Sequence, residues 1–128
     1  MKLITALIPP ERLEATKEEL GKARIFRLTV MDVQGVAVGG AESGSGGGVS
    51  GGTAAERYGA GGSTSPKARP LVKLLVAVNE DFVEPCIGAV LRAAGQDRER
   101  ALVDGRILVQ PLEEVVRVRT GERGPGAI

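Results

Sequence analysis

The residues of this sequence best suited to chemistry lie near its end, in the run Val115-Val116-Arg117-Val118-Arg119-Thr120-Gly121-Glu122-Arg123-Gly124. The run begins by alternating as a strand does. Val116 and Val118 are expected on one face, with Arg117 and Arg119 together on the other. Two guanidiniums side by side make a permanently charged fork that fits phosphate or carboxylate. The same pattern fits a solvated edge strand carrying two surface arginines, and residue types alone do not separate the two readings. Other reactive types are sparse. There is no histidine and one cysteine, Cys86, so neither an internal disulfide nor a His/Cys zinc site can form within one chain. Cys86 falls on an apolar helix face and reads as a small buried hydrophobe rather than a reactive thiol. Glu113 and Glu114 are adjacent, do not face one another on a helix, and read as a solvated turn. No nucleophile and base converge in a recognisable motif, so neither an enzyme nor a metal site is expected.

Composition narrows the partners. The 128 residues fit one domain, and a hydrophobic fraction of 42% supports one modest core. Aromatics are few (Phe26, Tyr58 and Phe82), so that core must be built from Val, Leu, Ile and Ala. A net charge of +1 supplies no bulk field for nucleic acid or an anionic membrane, and the lack of aromatics argues against base-stacking platforms. The longest strongly apolar run, Leu71 to Val78, is interrupted by Lys73 and is far too short to span a bilayer. The opening Met1-Lys2-Leu3-Ile4-Thr5-Ala6-Leu7-Ile8 has no cleavage pattern of a signal peptide, which leads to the expectation of a cytoplasmic protein without membrane insertion.

The elements that must hold the arginines follow from periodicity. Lys2 to Ile8 is a short apolar strand stopped by Pro9-Pro10. Pro10 suits a first helical turn, and Glu11 to Lys22 carries the helix, with a Glu18–Lys22 surface pair and Gly21 weakening its end. Arg24 to Val38 reads as a strand whose alternation is broken at Met31-Asp32, which leaves room for a bulge near Asp32. Composition then shifts abruptly. Twelve of the 19 glycines lie between Gly35 and Gly62, and Gly39 to Pro70 reads as one long loop, too polar to bury a core of its own. Leu71 to Val78 is the next strand. A helix follows to about Ala94, with Asp81 and Glu84 in capping-box spacing and Pro85 confined to its first turn. Gly95 ends it, Asp104-Gly105 marks a turn, Arg106 to Val109 is a strand, and Val115 to Arg119 is a closing strand. The order is the βαββαβ of a ferredoxin-like α+β sandwich, with a short extra strand.

The run Pro111 to Gly124, with Ala127-Ile128 after it, closely resembles the C-terminal signature of the PII signal-transduction family, the nitrogen regulatory P-II proteins. The likeness extends over residues 1 to 36 and 70 to 128, including the opening Met1 to Pro10 and the segments Leu28-Thr29-Val30 and Val33-Gln34-Gly35. It implies a homotrimer with nucleotide clefts between subunits and a T-loop, here residues 39 to 70, that reaches a target transporter or enzyme. It implies ATP or ADP as ligand, with AMP in the same chemistry, and leaves magnesium open. Residue by residue, Arg117 and Arg119 match the family's phosphate-binding arginines, Thr29 an adenine-binding threonine, and Gly35 the glycine where the T-loop starts. Asp104-Gly105-Arg106 matches the Asp-Gly-Lys of a backbone anion cradle, with arginine keeping the charge but not the geometry.

Departures from the family pattern are as informative. Two cradle glycines are replaced by Val103 and Arg100, and the second T-loop glycine by Ala37. The glutamine that ligates magnesium and 2-oxoglutarate aligns with Gly39, and the lysine that pairs with 2-oxoglutarate aligns with Leu71. A dicarboxylate would find no charged partner there, so 2-oxoglutarate sensing of the usual kind is expected to be lost. Glu56, Arg57 and Tyr58 faintly resemble the family's partner-binding loop tip in altered order, and the glycine-rich insert fits a plain spacer as well as a target-binding loop. The expected function is a PII-like regulator that binds adenine nucleotide and controls a partner in nitrogen or related metabolism. The alternative is a divergent adaptor that takes AMP, bicarbonate or another anion, or acts through protein contacts alone.

Overall fold

Three buried aliphatics at alternate positions, Ile4, Ala6 and Ile8, make Lys2–Ile8 (β1) the strand around which the sheet is built. β1 pairs antiparallel with Ala68–Val78 (β3) on one side and with Arg106–Pro111 (β4) on the other. Thr29–Val36 (β2) adds to the free edge of β3, giving the order β2-β3-β1-β4. Leu13–Lys22 (α1) follows β1 and Val83–Ala94 (α2) follows β3. This is the expected ferredoxin-like α+β architecture. The structure, a computed structural model, describes residues 1–36, 68–95 and 105–128.

Strand alternation sends Ile4, Ala6 and Ile8 of β1, with Val72, Leu74, Val76 and Val78 of β3, toward the helices. There they meet Leu20 of α1 and Cys86, Ala89 and Val90 of α2 in two adjoining clusters. Each fully buried Leu, Ile or Val contributes about 1.5–3 kcal/mol, so a core of aliphatics suffices without aromatic rings. The one buried polar side chain of α1, Thr16, donates its hydroxyl to the Arg12 carbonyl at 2.7 Å and so costs little. The opposite face of the sheet carries Leu3, Thr5 and Leu7, with Leu75 and Leu108 in register beside them. Neither helix covers it, and Leu108 is half exposed.

Several expected boundaries move, each for a local reason. Pro10–Arg12 is a 3-10 turn leading into α1, so the α-helix starts at Leu13 rather than Glu11. Gly21 does not stop it. The stop is a Schellman motif centred on Arg24, which adopts a left-handed φ of 61°. The Arg24 N–H donates to Gly21 at 3.0 Å and the Ile25 N–H to Leu20 at 2.9 Å, and Ile25 and Leu20 then pack in the same core. Arg24 to Leu28 is therefore a connection, and β2 begins only at Thr29. No bulge interrupts it near Asp32, because the register with β3 runs unbroken from Thr29–Leu75 to Val36–Ala68. β3 correspondingly begins at Ala68, three residues inside the segment expected to be loop.

The capping box does not form. Glu80–Phe82 is a 3-10 turn and Phe82 caps α2 without a side-chain bond, which leaves Asp81 outside the helix. Pro85 does sit in the first turn of α2, and Gly95, at φ 71° and ψ −167°, ends the helix as expected. Glu18 and Lys22 pair at 3.2 Å as their spacing requires. Cys86 is fully buried in the core, and burial pushes its thiol up to about 11.

Candidate functional site

After Pro111 the chain leaves the sheet, held at first by the Leu112 N–H on the Met1 carbonyl at 3.1 Å. Val115 to Arg119 is not a closing strand of the sheet. Only Val116 finds an antiparallel partner, and that partner is Arg123 of the same tail. The chain folds into a small hairpin instead. Arg117 N–H donates to Glu122 at 2.8 Å, Gly121 N–H donates back to Arg117 at 2.8 Å, and Gly124 N–H donates to Val115 at 3.0 Å. Gly121 at φ 71° supplies the left-handed turn that a side chain would strain. Across the two legs, Arg123 Nη1 donates to Glu114 Oε1 at 2.7 Å.

This hairpin corrects the expected geometry of the arginine pair. Period-two alternation requires a strand through Arg119, but the chain begins to turn at Val118. Arg117 is drawn inward, its side chain only 29% exposed. Its Nη1 donates to Glu122 Oε2 at 2.9 Å and its Nη2 to the Gly126 carbonyl at 2.9 Å, while its Nε is enclosed without an acceptor. Arg119 sits exposed in the turn and makes no ion pair among the described residues, beside Val118, whose side chain is wholly in solvent. The two guanidiniums are thus neighbours in one hairpin in different states: one engaged by its own chain, one exposed and without an ion pair among the described residues.

The other expected site residues distribute over the sheet. Thr29 opens β2 opposite Leu75, and Gly35 lies near its far end opposite Arg69, about 20 Å away at strand rise. Both are on the face that the helices leave uncovered. A Cβ on Gly35 would come within 2.7 Å of Leu71 Cδ1, so here glycine makes room for the chain's own leucine. Gly105 directly precedes β4 and Arg106 begins it, opposite Leu7 of β1. They border a recess of about 240 Å³ shared with Arg12, Thr16 and Leu91. Asp104, Glu56, Arg57 and Tyr58 lie outside the described residues, as do Ala37, Gly39, Arg100 and Val103.

One feature at the rim went unnoticed in the sequence. Arg24, Phe26 and Arg27 line a second recess of about 340 Å³ with Ala77 and Asn79. Phe26 is 76% exposed, an unusual position for one of only three aromatics in the chain. Reading Arg24 onward as strand hid this cluster. The signal available was the Arg-x-x-Arg spacing directly after the α1 terminus. Among the described residues no cluster of Cys, Asp or Glu is placed to hold a metal ion, and no helix is long and apolar enough to cross a membrane.

Fold and site together define a ferredoxin-like α+β domain with arginines gathered on its tail and at the ends of its strands. The profile of the family described as Nitrogen regulatory protein P-II matches residues 1–122, and the chain belongs to that family. It is 38% identical over 128 residues to the nitrogen regulatory protein GlnK1 of Methanosarcina mazei, covering 100% of this chain and 97% of that one. It is 37% identical to the nitrogen regulatory protein P-II of Azospirillum brasilense and 35% identical to GlnK of Escherichia coli K12, each over the full length of both chains. These relatives are regulatory proteins, which places the chain among regulators rather than enzymes.

Proposed function

We propose that the protein is a signal-transduction regulator of nitrogen or related metabolism that binds ATP or ADP in clefts between the subunits of a homotrimer. The nucleotide state is read by a target transporter or enzyme through the segment between β2 and β3, which carries Glu56, Arg57 and Tyr58. The observation that carries this reading is Arg119, exposed on a braced hairpin beside Arg117 and without an ion pair among the described residues. A guanidinium held in solvent by a rigid turn is suited to an anion arriving from outside the chain. The uncovered sheet face supports the trimer. Leu3, Leu75 and Leu108 lie in or beside one another's register there, and an apolar face of that kind is normally covered by another subunit. Thr29 lies on the same face and Arg106 at its edge, so assembly would bring them toward a neighbour's tail.

Sensing of 2-oxoglutarate is absent from this proposal. Leu71, standing where the family resemblance calls for lysine, is buried and packs over Gly35, so that position offers a dicarboxylate no charge. The protein works in the cytoplasm, without nucleic acid and without membrane insertion. One observation favours a second reading. With Arg117 held by its own chain, a smaller anion such as AMP or bicarbonate could be served by Arg119 and the start of β4 alone.

Calorimetric titration with ATP, ADP, AMP and bicarbonate, with and without magnesium and 2-oxoglutarate, tests both. ATP or ADP binding that Arg119→Ala weakens at least tenfold, and that 2-oxoglutarate does not change, is the expected result. A folded trimer that takes up bicarbonate or AMP but neither ATP nor ADP would establish the second reading.

A further inference from the structure

The tail holds Arg117 more closely than a surface arginine needs. Glu122 Oε2 accepts from Nη1 at 2.9 Å, and the Gly126 carbonyl accepts from Nη2 at 2.9 Å. These two nitrogens are the fork with which an arginine grips a phosphate or carboxylate. Glu122 also lies over the tail itself, since a Cβ on Gly126 would stand 2.7 Å from its Oε1. Gly126 is the middle residue of the 3-10 turn Pro125–Ala127. That turn is docked by burial of Ala127 and by Asn79 Nδ2, which donates to the Pro125 carbonyl at 3.3 Å. The guanidinium, the acidic side chain and the tail therefore form one clasp.

The clasp is placed to open. The Arg117 and Glu122 side chains are 29% and 45% exposed, so water and ligand reach them and their mutual attraction is modest. The closed state also leaves Nε of Arg117 enclosed without an acceptor, which keeps it from being deep. Arg119, two residues away, exposed and unpaired among the described residues, is available for first contact.

We propose that Glu122 is a built-in competitor for the ligand's anion, and that capture of Arg117 by a phosphate group frees the Pro125–Ala127 turn from the hairpin. This rests on the reading of the arginine pair as the anion site and adds to it the regulation of that site. The ligand lands on Arg119, displaces the Glu122 carboxylate from Arg117, and in doing so removes the donor that holds the Gly126 carbonyl. Occupancy of the site is thereby reported in the conformation of the tail.

The test compares the full chain with Glu122→Gln and Gly126→Ala. The first removes the competing charge at nearly constant shape. The second leaves the charge but drives the carboxylate off its seat, and it decides the matter if the first fails to fold. ATP affinity is measured by calorimetry at low salt, and exposure of the tail by hydrogen exchange at the Ala127 amide, which donates to the Gly124 carbonyl at 2.9 Å in the closed state. Both variants are expected to bind ATP about two- to five-fold tighter, the range set by an exposed ion pair. The Ala127 amide is expected to exchange faster in the ATP-saturated wild type. ATP binding at equal strength in all three proteins, with Ala127 protection unchanged, overturns the clasp and leaves the nucleotide reading standing. No ATP binding by any of them overturns both. Binding by the variants alone establishes a clasp that is shut in the wild type.

Discussion

Gly35→Ala tests how tightly β2 is seated against β3 at the base of the long glycine-rich segment. Gly35 has an ordinary strand conformation, so the backbone accepts alanine. The obstacle is packing: the new Cβ would stand 2.7 Å from Leu71 Cδ1, 3.5 Å from its Cγ and 3.9 Å from the Arg69 carbonyl. Carbon atoms rest at about 3.5–4.0 Å, so the Leu71 methyl must move by roughly 1 Å. Leu71 is 8% exposed and has little room to do so. Overpacking of this kind costs about 1–3 kcal/mol. Replacing glycine by alanine inside a strand returns about 0.5–1 kcal/mol. The expected net loss is thus about 1 kcal/mol, read as a fall of about 4 °C in Tm. Leu71→Val deletes the obstructing atom and by itself costs about 1 kcal/mol. In that background Gly35→Ala should become stabilising by about 0.5 kcal/mol, a coupling on the order of 1–2 kcal/mol. Urea unfolding followed by far-UV circular dichroism, at one fixed protomer concentration so that assembly does not confound it, measures all four proteins. If Gly35→Ala has the same effect in both backgrounds, Leu71 is not what excludes a side chain from this position and the reasoning fails.

Three further outcomes follow from the same structure. Burial raises the Cys86 thiol to about 11, so thiol reagents at pH 8 should leave the native protein unmodified and react fully in denaturant. Because the folded thiol holds its proton after the unfolded one has lost it, stability should fall between pH 9 and 11 by on the order of 2 kcal/mol, a loss that Cys86→Ala abolishes. Hydrogen bonds from Lys22 and Arg92 lower the Glu19 carboxyl, so its contribution is present at neutral pH and is lost as pH falls through the acid range; Glu19→Gln should flatten the acid limb of the stability–pH curve. Arg24→Gly, at the left-handed end of α1, should stabilise by up to about 1 kcal/mol in chemical denaturation, since glycine adopts φ 61° without strain.

The order of elements, the aliphatic core and the burial of Cys86 were legible in the chain because each is written in local periodicity. Alternation marks β1 and β3, and spacings of three and four mark α2, wherever the flanking Pro or Gly is unambiguous. The C-terminal run was legible in another way, as a long signature whose family the comparisons bear out. What failed to show were features decided by competing partners. Arg24 ends α1 because Leu20 and Ile25 find each other in the core, which no propensity for arginine would foretell. The capping box at Asp81 and Glu84 gives way to a 3-10 turn, and the bulge at Asp32 is ironed out by eight consecutive pairings with β3.

The tail shows the division most plainly. The sequence by itself determined that two arginines, a glutamate and two turn glycines stand within a few residues of one another, and so that an anion could be held there. Only the tertiary structure decided which arginine is available. With no neighbouring strand along Val115 to Arg119 among the described residues, backbone hydrogen bonds close within the tail, Arg117 turns to Glu122 and Gly126, and Arg119 is left outside. A pattern of residue types specifies what could pair; which pairs form depends on which acceptors the folded chain brings within reach, because a buried donor left without one costs free energy.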